Sequence, residues 1–352
     1  MKILVLAGDG IGPEITAATL LVLDRANARY KLGLEWQHEE IGFGALEKRG
    51  STLPADVMDA ARNAPGVILG PVDHLQYPTR DKGGINPSGE LRVKLDLFAN
   101  IRPAKSRLGL GRTGKPVDLV IYRECTEGFY ADRNMYAGSG EFMPTPDVAL
   151  AVRKVTARQC ERIARAAFDG ARKRRRKVTA VHKANVLRMS DGLFLAQVRK
   201  VAKEFPDVEL DEKIVDAMAA LLVRDPSQFD CIVTGNMFGD ILSDEASEIS
   251  GSLGLAGSVM AGDDACCAQA QHGSAPDIAG KGVANPTSLM LSAAMLFEWL
   301  GARHARPEFD QAAKAIEAAI DGALKSPATR TRDLGGALGT EPFAKLVAEA
   351  IG

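Results

Sequence analysis

An α/β fold is the expectation from this sequence, and three observations carry it. Short apolar runs recur along the chain, amphipathic stretches of helical period fill the gaps between them, and glycine-rich turns stand at several of the junctions. The first run, Ile3 to Ala7, reads as the opening strand. It is too short for a signal peptide and ends in Gly8-Asp9-Gly10 rather than in a cleavage site. Gly8 to Glu14 then opens a helix, with Pro13 where a helix begins; its glycines do not fit GxGxxG, so alone it is weak evidence for a dinucleotide loop. Gly66 to Gly70, Asp118 to Tyr122, Val178 to His182 and Cys231 to Thr234 read as further buried strands. The capping box Thr156-Ala157-Arg158-Gln159 starts a helix that buries Cys160, Ile163, Ala164, Ala167 and Phe168. That helix closes in the cationic run Arg172 to Lys177, which favours the helix dipole and a solvated surface over a nucleic-acid site. Near the end, Thr340 is expected to cap a helix that carries Pro342 in its first turn and Phe343, Leu346, Val347, Ala350 and Ile351 on one docking face. Asp132 to Pro146, rich in Gly, Ser and Pro, is the expected excursion from the body, and no internal repeat interrupts the pattern.

Composition excludes several classes of function. At 352 residues the chain is long enough for two lobes, and 46% hydrophobic with 25% charged residues is ordinary for a globular protein. A net charge of -1 and a pI near 6.6 leave no electrostatic footprint for nucleic acid or an anionic membrane, and no window approaches the length of a membrane span. Five cysteines without a CxxC pair suggest neither a disulfide framework nor a zinc site and fit a reducing cytoplasm.

The strongest chemical signal lies after the run ending at Thr234. Asp240 and Asp244 stand one helical turn apart, directly beyond a strand end, where α/β sheets bind ligands. Two carboxylates so placed suit Mg²⁺ or Mn²⁺; the alternative is a helix start whose acids favour the positive end of the dipole. A second signal is the loop from His272-Gly273-Ser274-Ala275-Pro276-Asp277 to Asn285-Pro286. It offers backbone N–H groups for phosphate and, in Asp277, an acceptor for ribose hydroxyls that repels a 2′-phosphate; turn chemistry is the plainer alternative. Arg92, Arg102 and Arg123 are candidates for binding substrate carboxylates, or else ordinary ion-pair partners. Lys183 follows an apolar strand, where partial desolvation favours a proton acceptor and a snorkelling lysine is the alternative.

Taken in order, these motifs resemble the β-decarboxylating isocitrate and 3-isopropylmalate dehydrogenases. The resemblance runs from Gly8–Glu14 through the Leu-Arg and Ile-Arg-Pro arginines, Arg123 to Tyr130, His182 to Asn185, Val215 to Met218 and Asn236 to Leu255, ending at His272 to Pro286. It implies a two-lobed fold that is not the Rossmann one, with a cofactor-binding lobe of residues 1–97 plus 250–352. The middle, residues 98–249, would form the dimerisation and metal lobe, with a clasp-like arm at about 131–150. By the same similarity Asp216, Asp240 and Asp244 would bind Mg²⁺ or Mn²⁺, Lys183 would take the proton of the substrate's C2 hydroxyl, and Tyr130 would return one to C3 after CO₂ leaves. Arg92, Arg102 and Arg123 would clamp carboxylates, while His272, Gly273, Ser274, Ala275, Asp277 and Asn285 would hold NAD. Lys183 and Asp216 would come from the neighbouring subunit, which makes the expected active unit an obligate homodimer acting on a small 2-hydroxy di- or tricarboxylate.

Members of that family differ in the loop before Arg92, here Gly83-Gly84-Ile85-Asn86-Pro87-Ser88-Gly89-Glu90. The isopropylmalate enzymes place leucines there, where this chain has Ser88 and Gly89, and Asn86 then Ser88 inverts the Ser-then-Asn order of the isocitrate enzymes; the resemblance points to a polar or small C3 substituent: isocitrate, homoisocitrate, tartrate or malate. 3-Isopropylmalate and a non-catalytic regulatory subunit are the rivals; retention of Lys183, Tyr130, Asp216, Asp240 and Asp244 counts against the latter. Ala268-Gln269-Ala270-Gln271, where the family usually has an acid and an apolar residue, is a second departure.

Overall fold

The computed structural model describes residues 1–107, 110–112, 114–130 and 135–352. The first stretch of chain runs β1 (Lys2–Leu6), α1 (Gly12–Tyr30), β2 (Glu35–Glu39), α2 (Phe43–Arg49), α3 (Ala55–Asn63), β3 (Val67–Leu69) and α4 (Pro87–Lys94). The middle follows with β4 (Ala99–Lys105), β5 (Asp118–Glu124), β6 (Glu141–Thr145), β7 (Val148–Ala151), α5 (Ala157–Arg172), β8 (Lys177–His182), α6 (Ser190–Ala202), β9 (Glu209–Ile214), α7 (Val215–Arg224), β10 (Cys231–Thr234) and α8 (Asn236–Ser250). The last stretch is β11 (Val259–Ala261), β12 (Cys266–Gln269), α9 (Thr287–His304), α10 (Pro307–Ala323) and α11 (Thr340–Ile351). These elements form two compact units: Met1–Leu95 with Arg107–Leu110 and Ser252–Gly352, and Asp96–Ser106 with Gly111–Gly251.

In the first unit the strands lie in the order β2-β1-β3-β12-β11, parallel except for the β11–β12 pair. Helices α1, α9, α10 and α11 pack on one another, burying Ile15, Val22, Phe297, Phe309, Phe343 and Val347. Thr340 corrects one expectation. The N-cap position of α11 is Gly339, and the Thr340 hydroxyl instead lies 2.7 Å from the Ala284 carbonyl and 3.0 Å from Glu14 Oε1. A helix start that is itself buried needs its hydroxyl for a tertiary partner.

In the second unit the order is β4-β5-β10-β8-β9, with β4 antiparallel to β5 and the rest parallel. Both faces of this sheet are covered, so its central strands β5, β8 and β10 are almost continuously apolar. One face packs on α5 and α6 through Phe168, Ala164, Phe194 and Val198, the other on α7 and α8 through Met218, Leu222, Leu242 and Ala246. Thr156 caps α5 as expected, its hydroxyl accepting from the Gln159 N–H at 3.3 Å. The cationic run after α5 is absorbed by structure: Arg174 pairs with Asp118 and Asp230, each at 2.7 Å. The expected arm begins on residues 131–134, which lie outside the described residues; beyond them β6 and β7 form an antiparallel hairpin with every residue exposed. All five cysteines are free and buried, and burial pushes the thiols of Cys160, Cys231 and Cys267 up to about 12.

Candidate functional site

The carboxylates of Asp240 and Asp244 stand on the first turns of α8, where the chain leaves β10. Antiparallel pairing aims the arginines at them. Arg123 on β5 lies opposite Asn100, two residues from Arg102 on β4, so the period of two puts both guanidinium groups on one face of the sheet, beneath α8. Arg123 is 1% exposed, and a cation so buried must be compensated. Its Nε and Nη2 donate to Asn236 Oδ1 at 3.0 and 2.7 Å, its Nη1 to Asp240 Oδ1 at 2.5 Å, and its Nη2 to the Tyr130 hydroxyl at 3.1 Å. Tyr130 in turn donates to Asp240 Oδ2 at 2.5 Å. Arg102 Nη1 donates to Asp240 at 3.2 Å, Asp244 at 3.3 Å and the Ser243 hydroxyl at 2.7 Å. Gly239 makes this approach possible, because a Cβ there would stand 2.6 Å from Arg123 Cγ.

The two Asp side chains remain 37% and 51% exposed, so solvent and a cation can reach them. Oxygen donors one turn apart fit a hard divalent cation, which takes one or two carboxylates and keeps its other positions for water and substrate. Asp216 is not with them. It opens α7, and its Oδ1 accepts from Lys183 Nζ at 2.5 Å, which holds its carboxyl below the ordinary value. Among the described residues no three His, Cys, Asp or Glu side chains are gathered for a metal. The seven predicted residues of this unit therefore fall into two groups: Arg102, Arg123, Tyr130, Asp240 and Asp244 in one, Lys183 and Asp216 in the other.

Beside the first group lies a buried acid pair. Glu124 accepts from the Thr126 N–H at 2.7 Å and the Glu127 N–H at 3.1 Å, yet burial pushes its carboxyl up to about 7. Glu127 is also raised by burial; its Oε1 accepts from the Thr156 N–H at 2.7 Å, and its Oε2 has no hydrogen-bond partner. The Glu127 carbonyl accepts from Asn236 Nδ2 at 2.7 Å, so this loop braces the amide that holds Arg123.

In the first unit the two glycine-rich loops meet. The Ile11 N–H donates to the Ser274 carbonyl at 2.8 Å, and a Cβ on Gly10 would lie 2.0 Å from that oxygen. Glu14 accepts from the N–H groups of Gly282 and Ala284 at 3.3 and 3.0 Å. The loop at Gly8–Glu14 is thus a support for the loop at His272–Asn285. Asp9 is committed elsewhere, accepting from the N–H groups of Phe43 and Asp73 and from the Tyr77 hydroxyl. Ala275 is left-handed at φ 38° and Gly273 and Asp277 are exposed, while Ser274 is buried. His272 keeps Nδ1 3.0 Å from the Gly273 carbonyl, and burial lowers its pKa, so the imidazole is neutral at pH 7. Asn285 is occupied on both sides: Nδ2 donates to Asp333 at 2.9 Å and Oδ1 accepts from the Thr287 N–H at 3.0 Å.

The loop from Gly83 to Glu90 and the helix it opens divide in role. Asn86 caps α4, its Oδ1 accepting from the Gly89 N–H at 3.3 Å. Ser88, one turn before Arg92, is buried and donates to Gln269 Oε1 at 2.9 Å, while Arg92 Nε points at Met260 Sδ at 2.8 Å. Sequence reasoning missed Gln269 as a partner of Ser88, along with Asn236, Glu127, Asp191 and Arg153. Gln269 had a signal in its departure from the usual family pattern, and Glu127 and Asn236 lay inside motifs of the resemblance without being singled out; Asp191 and Arg153 had none.

A family model described as isocitrate/isopropylmalate dehydrogenase matches residues 2–348. The isocitrate/homoisocitrate dehydrogenase of Thermus thermophilus is 43% identical over 99% of this chain and 98% of its own length. The 3-isopropylmalate dehydrogenase of Saccharolobus solfataricus is 41% identical over 95% of each. The crystal structure of isocitrate dehydrogenase from Methylococcus capsulatus superposes with a TM-score of 0.87 at 39% identity, covering 99% of both chains. The chain belongs to the isocitrate/isopropylmalate dehydrogenase family, a family of decarboxylating dehydrogenases.

Proposed function

We propose that the protein catalyses NAD-dependent, Mg²⁺- or Mn²⁺-dependent oxidative decarboxylation of a 3-substituted (R)-malate-type acid with a polar or small C3 substituent. Isocitrate and homoisocitrate lead, with malate and tartrate as smaller candidates. The observation that carries this choice is Ser88, a buried hydroxyl fixed on Gln269 one turn before Arg92. A polar substituent could exchange hydrogen bonds with that hydroxyl–amide pair, whereas an isopropyl group could only cover it. 3-Isopropylmalate is the second reading, favoured by relatives of that name at nearly the same identity.

Arg102 and Arg123 are braced by Asp240, Ser243, Asn236 and Tyr130, which fixes two cationic groups where substrate carboxylates would bind. Lys183, with Nζ neutral and released from Asp216, takes the C2 hydroxyl proton, directly or through water; NAD, when held by the His272–Asn285 loop, would supply the hydride acceptor for C2, and the C3–carboxylate bond then breaks to release CO₂. The Tyr130 hydroxyl returns a proton to C3, giving a 2-oxo acid. A divalent cation at Asp240 and Asp244, when bound, supplies Lewis acidity to the C2 oxygen and to the charge left by decarboxylation. Asp277, exposed on the same loop as His272, would accept from the adenosine ribose hydroxyls when NAD is bound.

The two groups of the second unit would be joined by pairing of chains, with Lys183 and Asp216 completing the partner's site. Val223 on α7, Met237 and Ile241 on α8, and Phe142, Met143, Val148 and Leu150 on the hairpin are exposed apolar side chains that a second copy would cover. Five free thiols suit a reducing cytoplasm. The decisive experiment is NADH formation across isocitrate, homoisocitrate, malate, tartrate and 3-isopropylmalate, with Mg²⁺ or Mn²⁺. A clear preference for 3-isopropylmalate would overturn the substrate choice and leave the reaction class standing.

A further inference from the structure

Lys183 is the first residue beyond β8, where the sheet no longer fixes its backbone. Its carbonyl accepts from the N–H groups of Val186 and Leu187 at 3.0 and 2.8 Å, and its own N–H donates to Asp191 Oδ2 at 2.5 Å. Asp191 is 2% exposed and needs a counter-charge. Arg153 provides it, with Nη1 2.6 Å from Asp191 Oδ1 and 3.0 Å from the Ser190 hydroxyl. Arg153 is itself held between two rings, 5.6 Å from Phe129 and 5.7 Å from Phe238. Neither Asp191 nor Arg153 bonds to the Lys183 ammonium, which is occupied by Asp216.

We propose that Asp191, anchored by Arg153, is a positioning residue for Lys183: the buried ion pair fixes the backbone from which Nζ reaches the substrate. The inference rests on the role given to Lys183 above. A carboxylate accepting an N–H at 2.5 Å makes a charge-assisted bond, stronger than a neutral acceptor would make, and proton transfer is sensitive to small misplacements. Asp191→Asn keeps the shape and removes the charge. The two rings and Ser190 still hold Arg153 in place, although it loses its counter-charge, so the stability of the variant is measured beside its kinetics.

The first test is steady-state kinetics of the metal-loaded enzyme. Asp191→Asn should lower kcat roughly 10- to 100-fold while KM stays within about threefold, since substrate binding rests on other residues. The second test uses mixed dimers. Asp191→Asn and Tyr130→Phe chains carrying different tags are co-expressed and the heterodimer is purified. One of its two sites takes Tyr130 from the first chain and Lys183 from the second, and so carries neither lesion. Recovery to about half of wild-type turnover is expected. A defect that merely loosens the chain's own fold would not be repaired in this way.

Lys183→Ala paired with Tyr130→Phe is the control. If that pair fails to recover, the shared-site reading falls and the kcat of the single Asp191→Asn variant decides the proposal. If Lys183→Ala alone keeps wild-type turnover, the role of Lys183 falls and the proposal with it. If the control recovers and the Asp191→Asn pair does not, or if Asp191→Asn keeps wild-type kcat, the proposal is overturned. Should the Asn chain not fold, Arg153→Lys weakens the same anchor while keeping its charge, and the same split between kcat and KM is expected at smaller size.

Discussion

Replacing Glu124 by Gln should alter how stability depends on pH, and the sign follows from burial. In the native chain desolvation keeps this carboxyl protonated up to about pH 7, although hydrogen bonds from Thr126 and the Glu127 N–H pull the other way. The unfolded chain ionises it near 4.5. Between those values the native state holds a proton that the unfolded state has released. Its contribution is therefore complete below pH 4.5 and is lost as pH rises through 7. At about 1.4 kcal/mol per pKa unit the whole effect is about 3 kcal/mol, of which about 2 kcal/mol falls between pH 5 and pH 8. Gln cannot titrate, and it pays a pH-independent cost for turning an amide toward the Thr126 and Glu127 donors. Urea unfolding of both proteins at pH 5 and pH 8 should show the variant less stable than the wild type at pH 5, with the gap narrowing by about 2 kcal/mol at pH 8. Glu127 lies beside it with a raised carboxyl of its own, so the step belongs to the pair. A gap that stays constant within about 0.5 kcal/mol would refute the assignment of this proton to the buried acids.

Three further outcomes test the site. Asp244→Asn should keep the fold and weaken Mn²⁺ binding in the presence of substrate, read by calorimetry, together with metal-dependent turnover; unchanged affinity removes Asp244 from the cation site. Wild-type kcat/KM should favour NAD over NADP roughly tenfold or more, and Asp277→Ser should narrow the ratio, because the carboxylate no longer repels a 2′-phosphate. Gly239→Ala drives a methyl to within 2.6 Å of Arg123 Cγ, which should cost about 1 to 3 kcal/mol of stability and raise KM; a neutral substitution would show that Arg123 has room to move.

The parts of the fold legible in the sequence were those buried on both sides. β1, β3, β5, β8 and β10 each carry an apolar run for that reason. β2 (Glu-Trp-Gln-His-Glu) and β9 (Glu-Leu-Asp-Glu-Lys-Ile) stand at sheet edges, where polar side chains face solvent and no apolar pattern announces a strand. Asp240 and Asp244 could be read because a helix brings positions four apart together. The pairing of Ser88 with Gln269 spans 181 residues, and that of Arg153 with Asp191 depends on a turn after β8; no local pattern encodes either. Asn86 shows a different limit, since a polar residue before a Pro reads equally as a ligand group or a helix cap, and its Oδ1 here takes the cap position of α4.

The buried thiols have a practical consequence. With all five sulfurs enclosed and the thiols that set the pattern held protonated, the native surface carries nothing for a maleimide to attack. The unaltered chain is already a silent background for site-specific labelling. A single cysteine introduced at an exposed position such as Leu75 or Met189 would take one fluorophore, with no native sulfur to remove first. Paired dyes, one on each compact unit, could then be attached to a protein whose own chemistry is otherwise untouched.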